Sequence, residues 1–270
     1  MAQIDLRKII SSKSAKLAKY IPGFVYRWLN GLLHVDELNE IIESGWELSP
    51  QEFLRAFFKR QNITYSAMGL DSLDPSQRYM FASNHPSGGM DGMMLADLMI
   101  EHFGDARVVV NDILMNLKPL APIWIPVNTL GKQNSAYARK FETELEGDLP
   151  ILTFPAGMCS RCFDGDIQDP QWKNTFIRKA QNSKRSVVPI YVDGTLHAGF
   201  YRLYRWRKRL GIKANLEMLL LVDGMFRQKG RNIKIVVGEA ITLDHLSAIG
   251  TPSQQCEYIR EKVYSLRTKI

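Results

Sequence analysis

The sequence predicts an α/β fold in which a mixed sheet is flanked by helices. Up to about residue 60, apolar side chains recur at helical spacing, and from about residue 62 short apolar runs alternate with amphipathic segments. Strands that alternate with helices are typical of a sheet with helices packed on its faces. We therefore predict a helical extension over residues 1–60 and an α/β domain over residues 61–270.

The predicted extension is amphipathic and basic. Tyr20, Phe24 and Trp28 recur every four residues, and Lys16 and Lys19 occupy other positions of the same segment. Aromatic side chains beside lysines are typical of helices that lie in a membrane interface. Packing of this face on the chain's own domain is the alternative. We interpret the extension as membrane-associating.

The elements of the α/β domain follow from apolar runs and helix caps. Ser49 and Thr251 each precede a proline and stand three residues before Glu52 and Gln254, which predicts two capped helices, the first ending near residue 59. Strands are predicted over 63–68, 78–82, 107–110, 149–154, 186–192 and 232–237. Further helices are predicted over 91–103, 135–146, 169–182, 197–210 and 251–268.

Charge and cysteine content restrict the class of protein. The chain has 35 Lys and Arg against 28 Asp and Glu, a net charge of +7, which favours an anionic partner. Three cysteines in 270 residues do not make a disulfide framework. The N-terminus has no apolar signal region, and no apolar stretch reaches the ~18 residues of a transmembrane helix. We expect any membrane contact to be peripheral.

The most informative segment joins the strand predicted over 78–82 to the helix predicted over 91–103. It is a glycine-rich turn that contains His85, Gly88, Gly89 and Asp91. A histidine at the carboxyl end of a strand lies where α/β folds gather their sites. A carboxylate that fixes the imidazole tautomer frees the other ring nitrogen to accept a proton, which suits a general base. A turn with a helix cap is the plainer interpretation.

The turn and four later segments resemble one family. Asn-His-Pro-Ser-Gly-Gly-Met-Asp at 84–91 resembles the first motif of the glycerolphosphate acyltransferase superfamily (PlsC-like, 1-acylglycerol-3-phosphate acyltransferases), whose signature is Asn-His-x4-Asp. Here five residues separate His85 from Asp91, a departure that resembles the haemolysin-like branch common in Bacteroidetes. The other motif-like segments follow in the family's order, at 123–128, 154–161, 187–190 and 238–241.

The resemblance implies a glycerolphosphate acyltransferase-like fold and O-acyl transfer from acyl carrier protein or acyl-CoA to a lysolipid hydroxyl. His85 would be the catalytic base and Asp91 its support. The resemblance implies no cofactor and no metal. The residues that we expect to bind substrate are Asn84, Ser87, Gly88, Gly89, Asn128, Lys132, Phe154, Pro155, Gly157 and Arg161.

Departures from the family pattern concern the acceptor. Asn128, Ala156 and Cys159 stand where the family has residues that help to bind the acceptor's phosphate. Arg161 or Lys132 could replace them, because either cation reaches a phosphate. The simpler interpretation is a different headgroup. A 1-acylglycerol-3-phosphate-like lipid and an N-(3-hydroxyacyl) amino-acid lipid are therefore both candidate acceptors.

Two rival functions remain open. A lipid hydrolase or haemolysin-like protein would use the site on water, and a non-enzymatic basic protein would bind membranes or nucleic acid. The segment 202–209 is rich in arginine and aromatic residues, but no nucleic-acid-binding module is recognisable, so we expect no nucleic acid partner. Cys159 and Cys162 have no second pair for a zinc site. We expect the enzyme in the cytoplasm, at the cytoplasmic face of the inner membrane.

Overall fold

The computed structural model describes residues 4–128, 134–163 and 165–270, with the side chains of residues 12, 13, 15 and 17 outside that description. All six predicted strands are present, with ends within two residues of the expected ones. Three more are added by Trp124–Val127 and by a small hairpin. The strands are β1 (Thr64–Met68), β2 (Tyr79–Ser83), β3 (Arg107–Asn111), β4 (Trp124–Val127), β5 (Ile151–Thr153), β6 (Arg161–Phe163), β7 (Asp166–Gln168), β8 (Ser186–Asp193) and β9 (Asn232–Val237).

The helices follow the predicted caps closely. Both predicted capping boxes are formed, Ser49 with Glu52 and Thr251 with Gln254. The helices are α1 (Leu6–Lys13), α2 (Ala15–Tyr20), α3 (Gly23–Leu32), α4 (Val35–Ser44), α5 (Pro50–Arg60), α6 (Gly89–Phe103), α7 (Ser135–Glu146), α8 (Thr175–Asn182), α9 (Ala198–Arg209), α10 (Leu221–Phe226), α11 (Leu243–Ile249) and α12 (Pro252–Ser265). Short 3₁₀ helices span Leu70–Ser72, Asp112–Asn116, Lys118–Ile123, Leu216–Leu220 and Leu266–Lys269.

One predicted helix starts later than expected. The helix was predicted over residues 169–182, whereas α8 begins at Thr175. Both carboxylate oxygens of Asp169 accept hydrogen bonds from side chains or backbone outside any helix, and Pro170 follows directly. The intervening residues therefore form a loop that holds the Asp169 side chain in place.

Seven strands form one mixed sheet in the order β1-β9-β8-β2-β5-β3-β4. Every neighbouring pair is parallel except β8 with β9, which is antiparallel. Strands β6 and β7 make a separate antiparallel hairpin. The predicted α/β class with a mixed, helix-flanked sheet is confirmed.

Both faces of the sheet are covered by helices. Strand β2 shows this directly, since Tyr79 and Phe81 belong to one core cluster while Met80 and Ala82 belong to the other. The first face packs against α5 and α6, and the second against α8, α11 and α12. Because the sheet is buried on both faces, all five residues of β2 are buried and most of them are apolar.

The N-terminal helices differ in whether their aromatic side chains are buried or exposed. Phe53 and Phe57 of α5 are buried in the main core, whereas Phe24 and Trp28 of α3 are 65% and 60% exposed. His34, before α4, contacts Asp223 of α10 with its ring nitrogen 3.2 Å from the carboxylate.

No helix among residues 4–128, 134–163 and 165–270 is long and apolar enough to cross a membrane. The domain boundary at 60/61 stays a prediction.

Candidate active site

Three adjacent parallel strands end beside each other at the candidate site. Strand β2 lies between β5 and β8, and all three run in the same direction. His85 follows β2, Phe154 follows β5, and Gly194 follows β8. Such an edge, at the carboxyl ends of parallel strands, is where α/β folds bind ligands.

His85 and Asp91 form the hydrogen-bonded pair that the sequence predicts. His85 Nδ1 lies 3.0 Å from Asp91 Oδ2, which also accepts the Ser87 backbone N–H at 2.8 Å. Asp91 is fully buried in the first turn of α6, and 17% of the His85 side chain is exposed. The carboxylate engages Nδ1, and Cys159 is a second side chain that interacts with the imidazole.

The surroundings of His85 favour its charged form. Burial lowers the pKa of His85, but the Cys159 sulfur and the Asp91 carboxylate more than offset this and raise the pKa to about 10. Burial also raises the pKa of Asp91, while the bonds from His85 and Ser87 stabilise its carboxylate. The Phe154 ring stacks on the imidazole at a centroid distance of 4.1 Å and shields one of its faces.

The His85 backbone is fixed by the segment that follows β5. Its N–H donates to Asp169 Oδ1 at 3.1 Å, and its carbonyl accepts from the Ser160 N–H at 2.8 Å. Asp169 also accepts the Ser160 hydroxyl at 2.5 Å and the Trp172 indole N–H at 2.9 Å. Sequence reasoning missed Asp169, because its role depends on partners that are distant along the chain.

Two side chains next to His85 join β2 to the end of β8. The Asn84 amide donates to the Val192 carbonyl at 3.0 Å and accepts the Val192 N–H at 2.8 Å. The Ser87 hydroxyl is buried against Gly194, where an added Cβ would lie 2.2 Å from Ser87 Oγ. Both residues were predicted to bind substrate, and this stays a prediction. In the structure the Asn84 amide links the turn to β8, and the Ser87 backbone N–H donates to Asp91.

Comparison with known proteins agrees with this geometry. A family model described as "Acyltransferase" matches residues 8–270. The chain belongs to the acyltransferase family. It is 38% identical to a lyso-glycine lipid O-acyltransferase of Bacteroides thetaiotaomicron, over 97% of both chains. It is 37% identical to a protein of the same description from Phocaeicola vulgatus, over 97% of this chain and 95% of the relative.

A solved structure shows the same fold. The PlsC 1-acyl-sn-glycerophosphate acyltransferase of Thermotoga maritima matches with a TM-score of 0.50 and 13% identity, over 80% of this acyltransferase and 76% of that chain. Together with the family match, this confirms the resemblance read from the motifs. The family match and the two relatives confirm the predicted enzyme class, an acyltransferase.

The glycines of the acyltransferase have distinct backbone conformations. Gly88 has φ +70° and ψ −140° at the N-cap of α6, a combination that favours glycine, while Gly89 is the first helical residue. The first N–H groups of a helix have no intrahelical acceptor, so α6 presents donors next to His85. Gly157, after β5, is exposed and has φ +66°.

The other predicted substrate residues lie at different distances from His85. Pro155 is buried directly after Phe154. Asn128 follows β4, three strands from β2 and therefore roughly 14 Å across the sheet. Arg161 is 2% exposed and ion-paired with Glu217. Lys132 lies outside the described residues.

The thiols of the acyltransferase are free, and the described residues hold no candidate metal site. Cys159 is buried against Leu196 and Phe200, and Cys162 is half-buried in β6. Over residues 4–128, 134–163 and 165–270, no three His, Cys, Asp or Glu side chains converge as metal ligands would. The expectation that the enzyme needs no metal or cofactor stays a prediction.

Proposed function

We propose that this acyltransferase moves a fatty acyl group from a thioester of acyl carrier protein or CoA to the hydroxyl of an N-(3-hydroxyacyl)glycine. His85 is the base, Asp91 holds its tautomer, and the product is a doubly acylated glycine lipid. The 3.0 Å hydrogen bond between His85 Nδ1 and Asp91 Oδ2 carries the catalytic part of the proposal.

The chemistry follows from that hydrogen bond. The acceptor hydroxyl gives its proton to His85 Nε2 as its oxygen bonds to the thioester carbonyl carbon. The carbon–sulfur bond then breaks, and the leaving thiolate takes the proton back from the imidazolium. N–H groups at the start of α6, around Gly88 and Gly89, are placed to stabilise the oxyanion.

The acceptor is suggested by the relatives and by the departures in the motifs. Both curated relatives are described as lyso-glycine lipid O-acyltransferases and match over nearly their whole length. Asn128, Ala156 and Cys159 stand where phosphate-binding residues are expected in the superfamily. A glycine carboxylate carries one charge and needs fewer cations than a phosphate. This agrees with the absence of the family's phosphate-binding residues at these three positions.

The proposal includes a peripheral membrane location, at the cytoplasmic face of the inner membrane. Tyr20, Phe24 and Trp28 are 72%, 65% and 60% exposed and lie near the exposed cations Lys19 and Arg27. Aromatic side chains beside cations suit an anionic bilayer surface. The free thiols agree with a reducing compartment.

The central test compares the wild-type enzyme with His85→Ala. Each protein is incubated with palmitoyl carrier protein and N-(3-hydroxypalmitoyl)glycine, and the doubly acylated lipid is measured by mass spectrometry. We expect His85→Ala to lose about 10²- to 10⁴-fold in rate, because general-base catalysis is worth that much. His245→Ala is the matched control, because His245 is exposed on α11 and contacts Tyr258.

The same assay distinguishes a transferase from a hydrolase. With the thioester alone, a hydrolase releases free fatty acid, whereas a transferase consumes little donor until the hydroxyl lipid is added. Wild-type product formation without any dependence on His85 would refute the proposed base. Fatty acid release that is independent of acceptor would replace the proposed transfer with hydrolysis.

A further inference from the structure

A cavity of about 590 Å³ opens between the β6–β7 hairpin and the carboxyl end of α9. Four cations line it: Arg161, Arg207, Lys208 and Lys213. No carboxylate lines it among the described residues. A concave surface with four positive side chains and no negative one favours an anion.

The buried wall of the cavity holds more positive than negative charge. Arg161 and Arg207 are 2% and 5% exposed, and both bind the same fully buried carboxylate, that of Glu217. Arg207 donates to it twice, at 2.7 Å and 3.1 Å, and Arg161 once, at 3.2 Å. Two guanidinium groups share one carboxylate, so one buried positive charge has no counter-ion in this cluster.

Aromatic rings offset only part of that charge. The Arg161 guanidinium lies 4.8 Å from the Phe200 ring centroid and 5.3 Å from that of Tyr204. The guanidinium also donates to the Cys159 and Ser160 carbonyls, which satisfy its N–H groups but carry no full negative charge. An anion in the cavity would complete the compensation.

The rim supplies free cations and apolar surface. Lys208 and Lys213 are exposed, and neither has an ion-pair partner in the part of the chain that the structure describes. Met158 and Phe163, also at the cavity, are 37% and 36% exposed. Cations beside exposed apolar side chains match an amphiphile, which has an anionic group and a hydrocarbon chain.

The cavity adjoins the candidate active site through the chain itself. Arg161 directly follows Ser160, whose backbone N–H donates to the His85 carbonyl at 2.8 Å. Met158 lies one residue before Cys159, whose sulfur is 3.4 Å from the position of an added Cβ on Gly88. A substrate group held in the cavity would therefore contact residues of the same chain segment that fixes His85.

From these observations we propose that the cavity binds the anionic group of an amphiphilic substrate, a carboxylate or a phosphate, through Lys208 and Lys213. The Arg161–Glu217–Arg207 cluster forms its positive wall. The inference rests on the proposed function for its choice of sources. The anion is either the carboxylate of the glycine-lipid acceptor or a phosphate of the thioester donor.

Direct binding tests the site without turnover. Isothermal titration of the full chain with N-octanoylglycine, N-octanoylglycinamide and CoA compares the wild type with the double variant Lys208→Gln/Lys213→Gln. Charge-assisted hydrogen bonds are worth about 1.5–3 kcal/mol, so we expect at least about tenfold weaker binding of the anion. Lys229→Gln/Lys269→Gln is the matched control, because it removes the same charge from exposed lysines that do not line the cavity.

Each outcome decides one question. Weaker N-octanoylglycine binding, with no change for the amide, assigns the cavity to the acceptor carboxylate, and weaker CoA binding assigns it to the donor phosphates. The corresponding KM for acceptor or donor should rise about tenfold in the transfer assay. Equal binding by the double variant and its control would overturn the inference. Anion binding without any acyl transfer would keep the cavity and refute the proposed function.

Discussion

Asp169 Oδ1 lies 3.1 Å from the backbone nitrogen of His85, although 84 residues separate the two along the chain. The same oxygen accepts the Ser160 hydroxyl, and the second oxygen accepts the Trp172 N–H. Asp169 thus joins the histidine turn to the segment after β5. It fixes the backbone of the proposed catalytic base, and its own side chain is buried.

Asp169→Asn is expected to lower kcat at least about tenfold while KM changes little. An amide oxygen can still accept from His85 and Ser160, but the amide NH₂ then faces the Trp172 N–H, another donor, and the carboxamide must turn. Trp172→Phe in the Asp169→Asn background removes the opposing donor and should restore part of kcat. An Asp169→Asn enzyme with wild-type kcat would show that the bond from Trp172 and the charge of Asp169 are dispensable.

Activity is expected to rise with pH through the alkaline range. The proposed base acts in its neutral form. Cys159 and Asp91 raise the pKa of His85 to about 10 against the effect of burial, so the ascending limb of kcat/KM should lie above that of an ordinary histidine. Cys159→Ala removes a group that stabilises the imidazolium and should move the limb to lower pH. Cys162→Ala, on the neighbouring hairpin, should leave it in place, and equal profiles for the two variants would contradict the assignment.

The two glycines of the turn should differ in their tolerance of a side chain. Gly88→Ala places a Cβ at φ +70° and 3.4 Å from Cys159 Sγ, so we expect a loss of about 1–3 kcal/mol in unfolding free energy and a lower kcat. Gly89→Ala meets no atom within 4 Å and begins a helix, so it should be neutral or slightly stabilising. Urea unfolding and initial rates measure both. Equal effects would argue against a special conformation at Gly88.

The exposed aromatic face of α3 should determine vesicle binding. Phe24→Ser with Trp28→Ser removes two large side chains that are 65% and 60% exposed, and should weaken binding to phosphatidylglycerol vesicles about 10- to 100-fold. Ile113→Ser, at a side chain that is 50% exposed, controls for lost surface apolarity. Co-sedimentation measures bound protein. Unchanged binding by the double variant would move the membrane contact elsewhere.

Elements with a local signal were predictable from the sequence. The capping boxes at Ser49 and Thr251 and the apolar run of β8 depend on neighbours along the chain, and each appears close to its expected position. Strand β4 belongs to the motif-like segment 123–128, which was not predicted as a strand, and it contains Pro126, a residue that is uncommon inside strands. Among the described strands it lies at the edge of the sheet beside β3, where a missing N–H is tolerated.

The candidate site was predictable only in part, because only some of its residues are close to each other along the chain. His85 and Asp91 lie six residues apart, so one turn followed by a helix brings them together. Asp169 and Glu217 depend on how strands and loops are arranged in three dimensions. Each looks in the sequence like an ordinary acidic residue, and no spacing marks it.

The distances along the chain also set an order of assembly during synthesis. The His85 turn is complete only when Val192 pairs with Asn84 and when the Tyr264 hydroxyl accepts the Asp169 N–H at 2.7 Å. At roughly 5–20 residues per second, the ribosome needs about 5 to 20 seconds to pass the 95 residues between Asp169 and Tyr264. The nascent chain therefore carries the proposed catalytic histidine for several seconds before α12, which supplies Tyr264, has been synthesised and the bonds that fix the His85 turn can all form.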